Sequence, residues 1–407
     1  MHGGPQANRP ARFGCGWRGA LVGAMAALLA ACAGGLPGSD TLSSTPAAAP
    51  PGGAPAAPTD SIGTGQVKVG LLLPLSASGN AGLAGQSMRN AAELALAEFN
   101  DPNIQLLVKD DSGGPQAAQQ ATQQALDEGA GIILGPLFAA SVTQAAQVAH
   151  TRGVPIIAFS TDSNVAGRGV FLLSFLPESD VDRIVDYAIA QGKRSFVALL
   201  PDNAYGSVVE AEFKQELSRK GGRLVALERY AADGGNMSDP VRQIAEAAPR
   251  ADALFLPDAG EGVVAAVRAL AAAGVDLKRL QLIGTGLWDD ARIFADPALE
   301  GGWYPAPDSA GFRDFAARYR ARYGQDPART ATLAYDAVAL VAALVKTQGE
   351  KGFAPETLTN PSGFAGKDGV FRFRADGTNQ RGLAVLKVTP SGGQVIAPAP
   401  RTFGSGT

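Results

Sequence analysis

Residues 67–75 read VKVGLLLPL. The run is short, almost wholly apolar and without helical period, as a strand buried on both faces requires. A turn-forming stretch, Ser76 to Gly82, follows it. From about Ala84 to Phe99 the apolar residues fall at helical spacing, which predicts a helix. The same unit then repeats along the chain. IQLLVKDD reads as a strand, Pro115 to Glu128 as a helix, GIILG as a strand, Ser141 to Arg152 as a helix and VPIIAFS as a strand. FLLSF and a helix from Asp180 to Gln191 follow. A second series runs through SFVALL, a helix after Tyr205, RLVALERY, a helix from Asp239 to Ala248, DALFLP, a helix from Gly262 to Ala273, and LQLIG. Strands alternating with helices across short connections predict parallel sheets covered on both faces.

The last part departs from this rhythm. Phe312 to Tyr323 and Thr330 to Gly349 read as amphipathic helices. GVFRFRADGTNQRGLAVLKV then reads as a hairpin around Asp376-Gly377. A body of about 340 residues is large for one sheet, so two α/β lobes are expected.

Toward the N-terminus the composition changes. Residues 33–65 are dominated by Ala, Pro, Gly, Ser and Thr. They cannot bury enough apolar surface to fold and read as a disordered tether over 32–66. Such a coil spans on the order of 30 Å, and roughly 100 Å if stretched as polyproline II. Before it lie Arg9, Arg12 and Arg18, with no acidic residue, and the apolar run Ala20 to Ala31. That run is shorter than the ~20 residues a membrane span needs, and the pattern predicts a secretory signal over 1–31. Leu29-Ala30-Ala31-Cys32 resembles the lipobox of bacterial lipoproteins. The resemblance implies cleavage before Cys32, acylation of that cysteine, and attachment to a membrane through lipid alone.

Of the two cysteines, Cys15 falls in the expected signal and Cys32 at its end, so no internal disulfide or cysteine metal site is expected. The formal charge of −3 would become −6 on loss of the three signal arginines. An acidic chain offers no basic footprint for nucleic acid. His150, the one histidine after the signal, ends an expected helix and cannot supply a two-histidine metal site. Gly284-Thr-Gly286 lacks the rest of a dinucleotide fingerprint, and LPLSASGNAGLAG lacks the lysine ending of a phosphate loop. Asp110-Asp111 could be an acid–base or metal pair, or could cap the turn before Ser112-Gly113. No cofactor, no metal and no enzyme activity are expected.

What remains is positional. Open α/β sheets bind ligands beyond the carboxyl ends of their strands. There the chain places Ser76 and Ser78, then GPLFAAS with Ser141, then Ser160, Thr161 and Ser163, then Tyr205, then Asp258 and Glu261. Hydroxyls and backbone N–H groups at helix starts suit a carboxylate. The same residue types also cap helices without binding anything.

From Val67 to about Pro390 the chain resembles the type I periplasmic binding proteins of the Leu/Ile/Val-binding group. The stretches that carry this are VGLLLPLSASGNAGLAGQSMRNAAELAL, LLVKDDSGGPQAAQQA, IILGPLFAASV, VPIIAFSTDSN and LLPDNAYGSVVEAEF. The resemblance implies two doubly wound lobes joined by three crossovers that close on a ligand. Lobe one would be 67–175 plus 305–346 and lobe two 176–304 plus 347–395, with 396–407 as a tail. FLLSFLPESD, GGWYPAPD and the stretch 349–364 would be the crossovers. It also implies an amino-acid-like ligand held by the residues after the Gly-Pro turn, by Ser160 to Ser163, by Tyr205 and by Asp258 or Glu261. Ala139 stands where the family has its first serine, and Ala84 where it often has a larger side chain. GLLLPL together with GPLFA resembles a lipoprotein branch, the penicillin-binding protein activators. Two functions follow: the receptor of an ABC-type permease, or a lipoprotein that regulates a penicillin-binding protein. Ala33 after the lipid cysteine, where inner-membrane retention often uses Asp, favours the outer membrane.

Overall fold

The computed structural model describes residues 60–100, 102–231 and 237–403. The expected signal, Cys32 and most of the tether lie outside these residues.

The first sheet has six strands: β1 (Ser61–Ile62), β2 (Val67–Leu73), β3 (Ile104–Asp110), β4 (Ile132–Leu134), β5 (Ile156–Ala158) and β6 (Val170–Leu172), in the order β1-β3-β2-β4-β5-β6. All neighbours are parallel except β1 with β3. β1 takes up residues expected to belong to the tether. It pairs Ser61 with Leu107, and Asp60 beside it accepts a 2.8 Å bond from Arg89. Between the strands run α1 (Asn80–Glu98), α2 (Pro115–Asp127) and α3 (Ala139–Arg152). β2 is buried on both faces, as VKVGLLLPL requires. Val69, Leu71 and Leu73 join the core under α1, while Leu72 joins the core with α2 and α3. α1 starts four residues ahead of the expected Ala84. Gly82 and Gly85 lie against the backbone of the preceding turn, where an added Cβ would come within 2.0 Å of the Ala77 carbonyl and 2.8 Å of the Pro74 carbonyl. The first turns of this helix therefore show glycine rather than an apolar period.

The chain crosses to the second lobe after β6. There α4 (Pro177–Ala190), β7 (Ser195–Asp202), α5 (Ala204–Lys220), β8 (Arg223–Ala231), α6 (Ser238–Ala247), β9 (Ala253–Phe255), α7 (Gly260–Ala272), β10 (Gln281–Ile283), α8 (Ala291–Phe294) and β11 (Trp303–Ala306) follow. α4 and α5 cover one face, with Val181, Ile184, Phe213 and Phe255 in their core. α6 and α7 cover the other, with Ile244, Val267, Trp288 and Tyr304.

The return to lobe one brings α9 (Ser309–Tyr323), α10 (Ala331–Gln348) and α11 (Pro355–Leu358). A three-stranded antiparallel sheet comes next: β12 (Phe364–Gly366), β13 (Gly369–Phe373) and β14 (Asn379–Arg381). The lobe division differs here from the expectation, which gave 347–395 to lobe two. Phe353, Leu358, Phe371 and Phe373 all pack in the core of lobe one with α1, α9 and α10. The third crossover is therefore not at 349–364 but at Gly382-Leu383, after which β15 (Ala384–Thr389) enters the second sheet. The sheet β13-β14 is the hairpin expected around Asp376-Gly377, with Thr378 O accepting from Arg374 N. Its sequel GLAVLKV does not extend that hairpin. It pairs antiparallel with β11 and with β16 (Gly392–Ala397), completing the order β16-β15-β11-β10-β9-β7-β8.

The molecule is thus two doubly wound α/β lobes linked by three chain crossovers. Among the described residues no helix is long and apolar enough to cross a membrane.

Candidate functional site

Where the crossovers meet, a cavity of about 510 Å³ opens between the lobes. That volume lies within the ~300–1,000 Å³ usual for small-molecule sites. Lobe one and its crossover ends contribute Phe175, Phe312, Arg329 and Arg381. Lobe two contributes Asp180, Tyr205, Gly286, Leu287 and Asp289. The wall is mainly apolar, with a few charged and hydroxyl groups converging on it.

Tyr205 is set by the start of α5. Asn203 caps that helix, its side chain accepting from Gly206 N at 2.8 Å. The cap turns Tyr205 inward, and its hydroxyl shares a 2.7 Å hydrogen bond with the buried Thr285 hydroxyl. Burial, and secondly the charge of Asp180, push the Tyr205 phenol above its ordinary range. Thr285 and Gly286 belong to the glycine turn after β10. Gly284 lies flat against the Trp288 indole, where an added Cβ would stand 2.1 Å from the ring. The indole N–H donates to Leu256 O at 2.9 Å and fixes this corner. The Gly-Thr-Gly stretch thus serves close packing.

Asp180 lies in the first turn of α4, and its Oδ2 accepts from Gly286 N at 2.9 Å. Burial outweighs that bond, and with the charge of Glu178 nearby raises the carboxyl to about 7. A carboxyl raised from 3.8 to about 7 favours the fold while protonated. Its contribution is present below about pH 4 and is lost as pH rises through about 7. Burial moves Asp336 and Glu212 in the same direction, each to about 7. The urea midpoint should therefore fall between pH 5 and pH 8, and Asp180→Asn should make that fall smaller. An unchanged pH dependence in the variant would contradict the assignment.

The residues singled out from sequence are placed as follows. Tyr205 lines the cavity. Ser76, Ser78, Ala139, Ser141, Ser160, Thr161 and Ser163 lie at strand ends of lobe one but outside its lining. Ser76 is exposed and bonds the Ser112 hydroxyl at 3.0 Å. Ser78 and Thr161 are exposed, and Ala139 and Ser163 half-buried. Ser141 is fully buried in α3, its hydroxyl without a partner, and Ser160 turns its hydroxyl to Asp162 N at 3.1 Å. Asp258 accepts from the Tyr230 hydroxyl and from Ala259 N at 2.7 Å, so both its oxygens are used within lobe two. Glu261 is exposed and pairs with Arg292 at 3.2 Å, beside a separate surface hollow. Asp110 and Asp111 accept from Ser112 N at 2.8 Å and Gly113 N at 2.9 Å, the turn-capping alternative.

Sequence reasoning missed Phe175, Asp180, Phe312, Arg329 and Arg381. Phe175 and Asp180 were inside FLLSFLPESD, read only as a crossover. Nothing in the sequence around Arg381 marks it, since its burial and that of Asn379 beside it are set by packing.

Two lobes, three crossovers and a cavity between the lobes are the architecture of a periplasmic binding protein. The periplasmic binding protein family model matches residues 66–394, and the chain belongs to that family. A branched-chain amino acid ABC transporter protein of Rhodospirillum rubrum superposes with a TM-score of 0.72 at 21% identity, over 81% of this chain and 99% of that one. An ABC transporter substrate-binding protein of Desulfitobacterium hafniense, in complex with Leu, gives 0.61 at 20%, over 81% and 99%. The penicillin-binding protein activator LpoA of Shigella flexneri is 25% identical over 131 residues, 32% of this chain. That match spans only 19% of the LpoA chain.

Proposed function

We propose that this protein captures a small amino-acid-like ligand between its lobes, as the receptor of an ABC-type uptake system in the periplasm. The observation that carries the proposal is the cavity at the crossovers, walled by both lobes, where a ligand would favour closure. The leucine held by the Desulfitobacterium hafniense relative supports the ligand class. The exposed and half-buried strand-end residues Ser76, Ser78, Ala139, Thr161 and Ser163 would form the surface that closes onto the ligand, while Ser141 and Ser160 lie buried behind it. Asp258 and Glu261 are left out of that surface, since each has partners within lobe two. The expected lipid on Cys32 would hold the body near a membrane.

The test is a thermal shift against an amino-acid panel. A ligand that binds only the folded state stabilises it by RT ln(1 + [L]/Kd), about 2.7 kcal/mol at a hundredfold excess over Kd. At least one panel member should raise the melting temperature, and Tyr205→Phe should reduce that rise. A flat response across the panel would sink the proposal.

The likeness to LpoA favours a second reading, regulation of a penicillin-binding protein through protein contacts. Co-purification with a penicillin-binding protein, together with a flat amino-acid panel, would select it. The outer membrane would then be the expected site of anchoring.

A further inference from the structure

The lobe-one wall of the cavity holds a guanidinium whose two terminal nitrogens have no hydrogen-bond partner. Arg381 is only 5% exposed and lines the cavity. Its Nε donates to Ser174 O at 2.8 Å, but neither Nη1 nor Nη2 has a hydrogen-bond partner. Of the two nearby carboxylates, Asp368 is engaged elsewhere. Asp368 takes both terminal nitrogens of Arg329, at 2.9 and 2.7 Å, and the Thr332 hydroxyl. Asp336 accepts from Lys367 N at 2.8 Å through one oxygen, and its other oxygen has no hydrogen-bond partner; burial raises the group to about 7, so its charge competes only incompletely for Arg381 at neutral pH. Leaving a buried charge without hydrogen-bond partners is strongly disfavoured.

Two rings cover the guanidinium. Phe371, at 5.7 Å, is fixed in the core of lobe one. Phe175, at 4.7 Å, is half-buried at the cavity wall and has the cavity to move into. Resting on the ligand-capture reading above, we propose that Arg381 is the receptor for a ligand carboxylate, reached when Phe175 swings aside. The ligand is a monocarboxylic acid with an aromatic or branched apolar body. Its two oxygens match the two free nitrogens of the fork. Its body lies against Phe312, Leu287 and Leu383.

The experiment uses the full chain at pH 7 and two matched pairs, phenylacetate with phenylacetamide and L-phenylalanine with L-phenylalaninamide. Each acid is expected to bind at least tenfold more tightly than its amide, by calorimetry and thermal shift. Arg381→Met should abolish that difference. Arg381→Lys keeps the charge but not the fork, and should weaken acid binding about tenfold. Where Arg381→Met does not fold, Asp336→Asn decides. Removing the competing acid should tighten acid binding several-fold, and no tightening overturns the proposal. Equal binding of acid and amide overturns the role of Arg381 and leaves ligand capture standing. No binding of any of the four overturns this proposal, while a response elsewhere in the amino-acid panel would still support capture.

Discussion

Replacing Arg329 with methionine is expected to destabilise the protein by roughly 3 kcal/mol, the lower end of what breaking a buried ion pair costs. The reason lies with the partner. Asp368 is fully buried in the two-residue turn between β12 and β13, and Arg329 grips both its oxygens. Without the guanidinium, Asp368 keeps only the Thr332 hydroxyl as a hydrogen-bond partner. Arg329 also stacks on Phe175 at 4.6 Å and Phe312 at 4.5 Å, so the cavity wall should loosen too. The lower end applies because the Arg329 side chain is 42% exposed, and water moderates the pair. Urea unfolding measures the loss. Adding Asp368→Asn should recover most of it, since the stranded charge is gone while the Thr332 contact can persist. A single variant as stable as the parent would refute the argument.

Trp288→Ala should cost about 3–5 kcal/mol, the range for truncating a buried large aromatic. The indole is fully buried and donates to Leu256 O. It fills a slot left by Gly284 and Gly302, where added Cβ atoms would stand 2.1 and 2.7 Å from the ring. The cost should show as a lower urea midpoint and a lost near-ultraviolet dichroism band. Gly284→Ala tests the same slot from the other side, because its methyl would displace the ring. Overpacking of that kind costs about 1–3 kcal/mol. Both changes act beside Thr285, so both should weaken any ligand response that depends on Tyr205. Full stability in Gly284→Ala would mean the corner is looser than its geometry implies.

The alternation of strand and helix was legible because each element repeats a local pattern. VKVGLLLPL, GIILG and SFVALL are all buried strands where their composition puts them. The start of α1 was less legible, because its glycines are set by contact with the 74–77 turn rather than by helical period. The place of segment 347–381 in lobe one is hard to read for a related reason. Phe371 and Phe373 would suit either core, and only the packing against α1 and α10 decides between them.

The site was less legible than the fold. Tyr205 could be located because it follows a strand end and matches the aromatic that the family resemblance implies. Asp258 looked equivalent, yet Tyr230, 28 positions away in sequence, occupies it. Arg329 and Arg381 are 52 positions apart, and nothing local marks them as neighbours. Phe175, close to both guanidiniums, joins them only in three dimensions.

By itself the sequence determined the two-lobed α/β architecture, because burial pattern and turn chemistry are written within a few residues of each element. It also set the expectation of an exported, lipid-anchored chain. Only the tertiary structure decided which polar groups face the cavity and which are spent on each other. Hydrogen bonding and charge pairing act across long loops, and whether a buried charge is satisfied depends on neighbours that sequence spacing does not name.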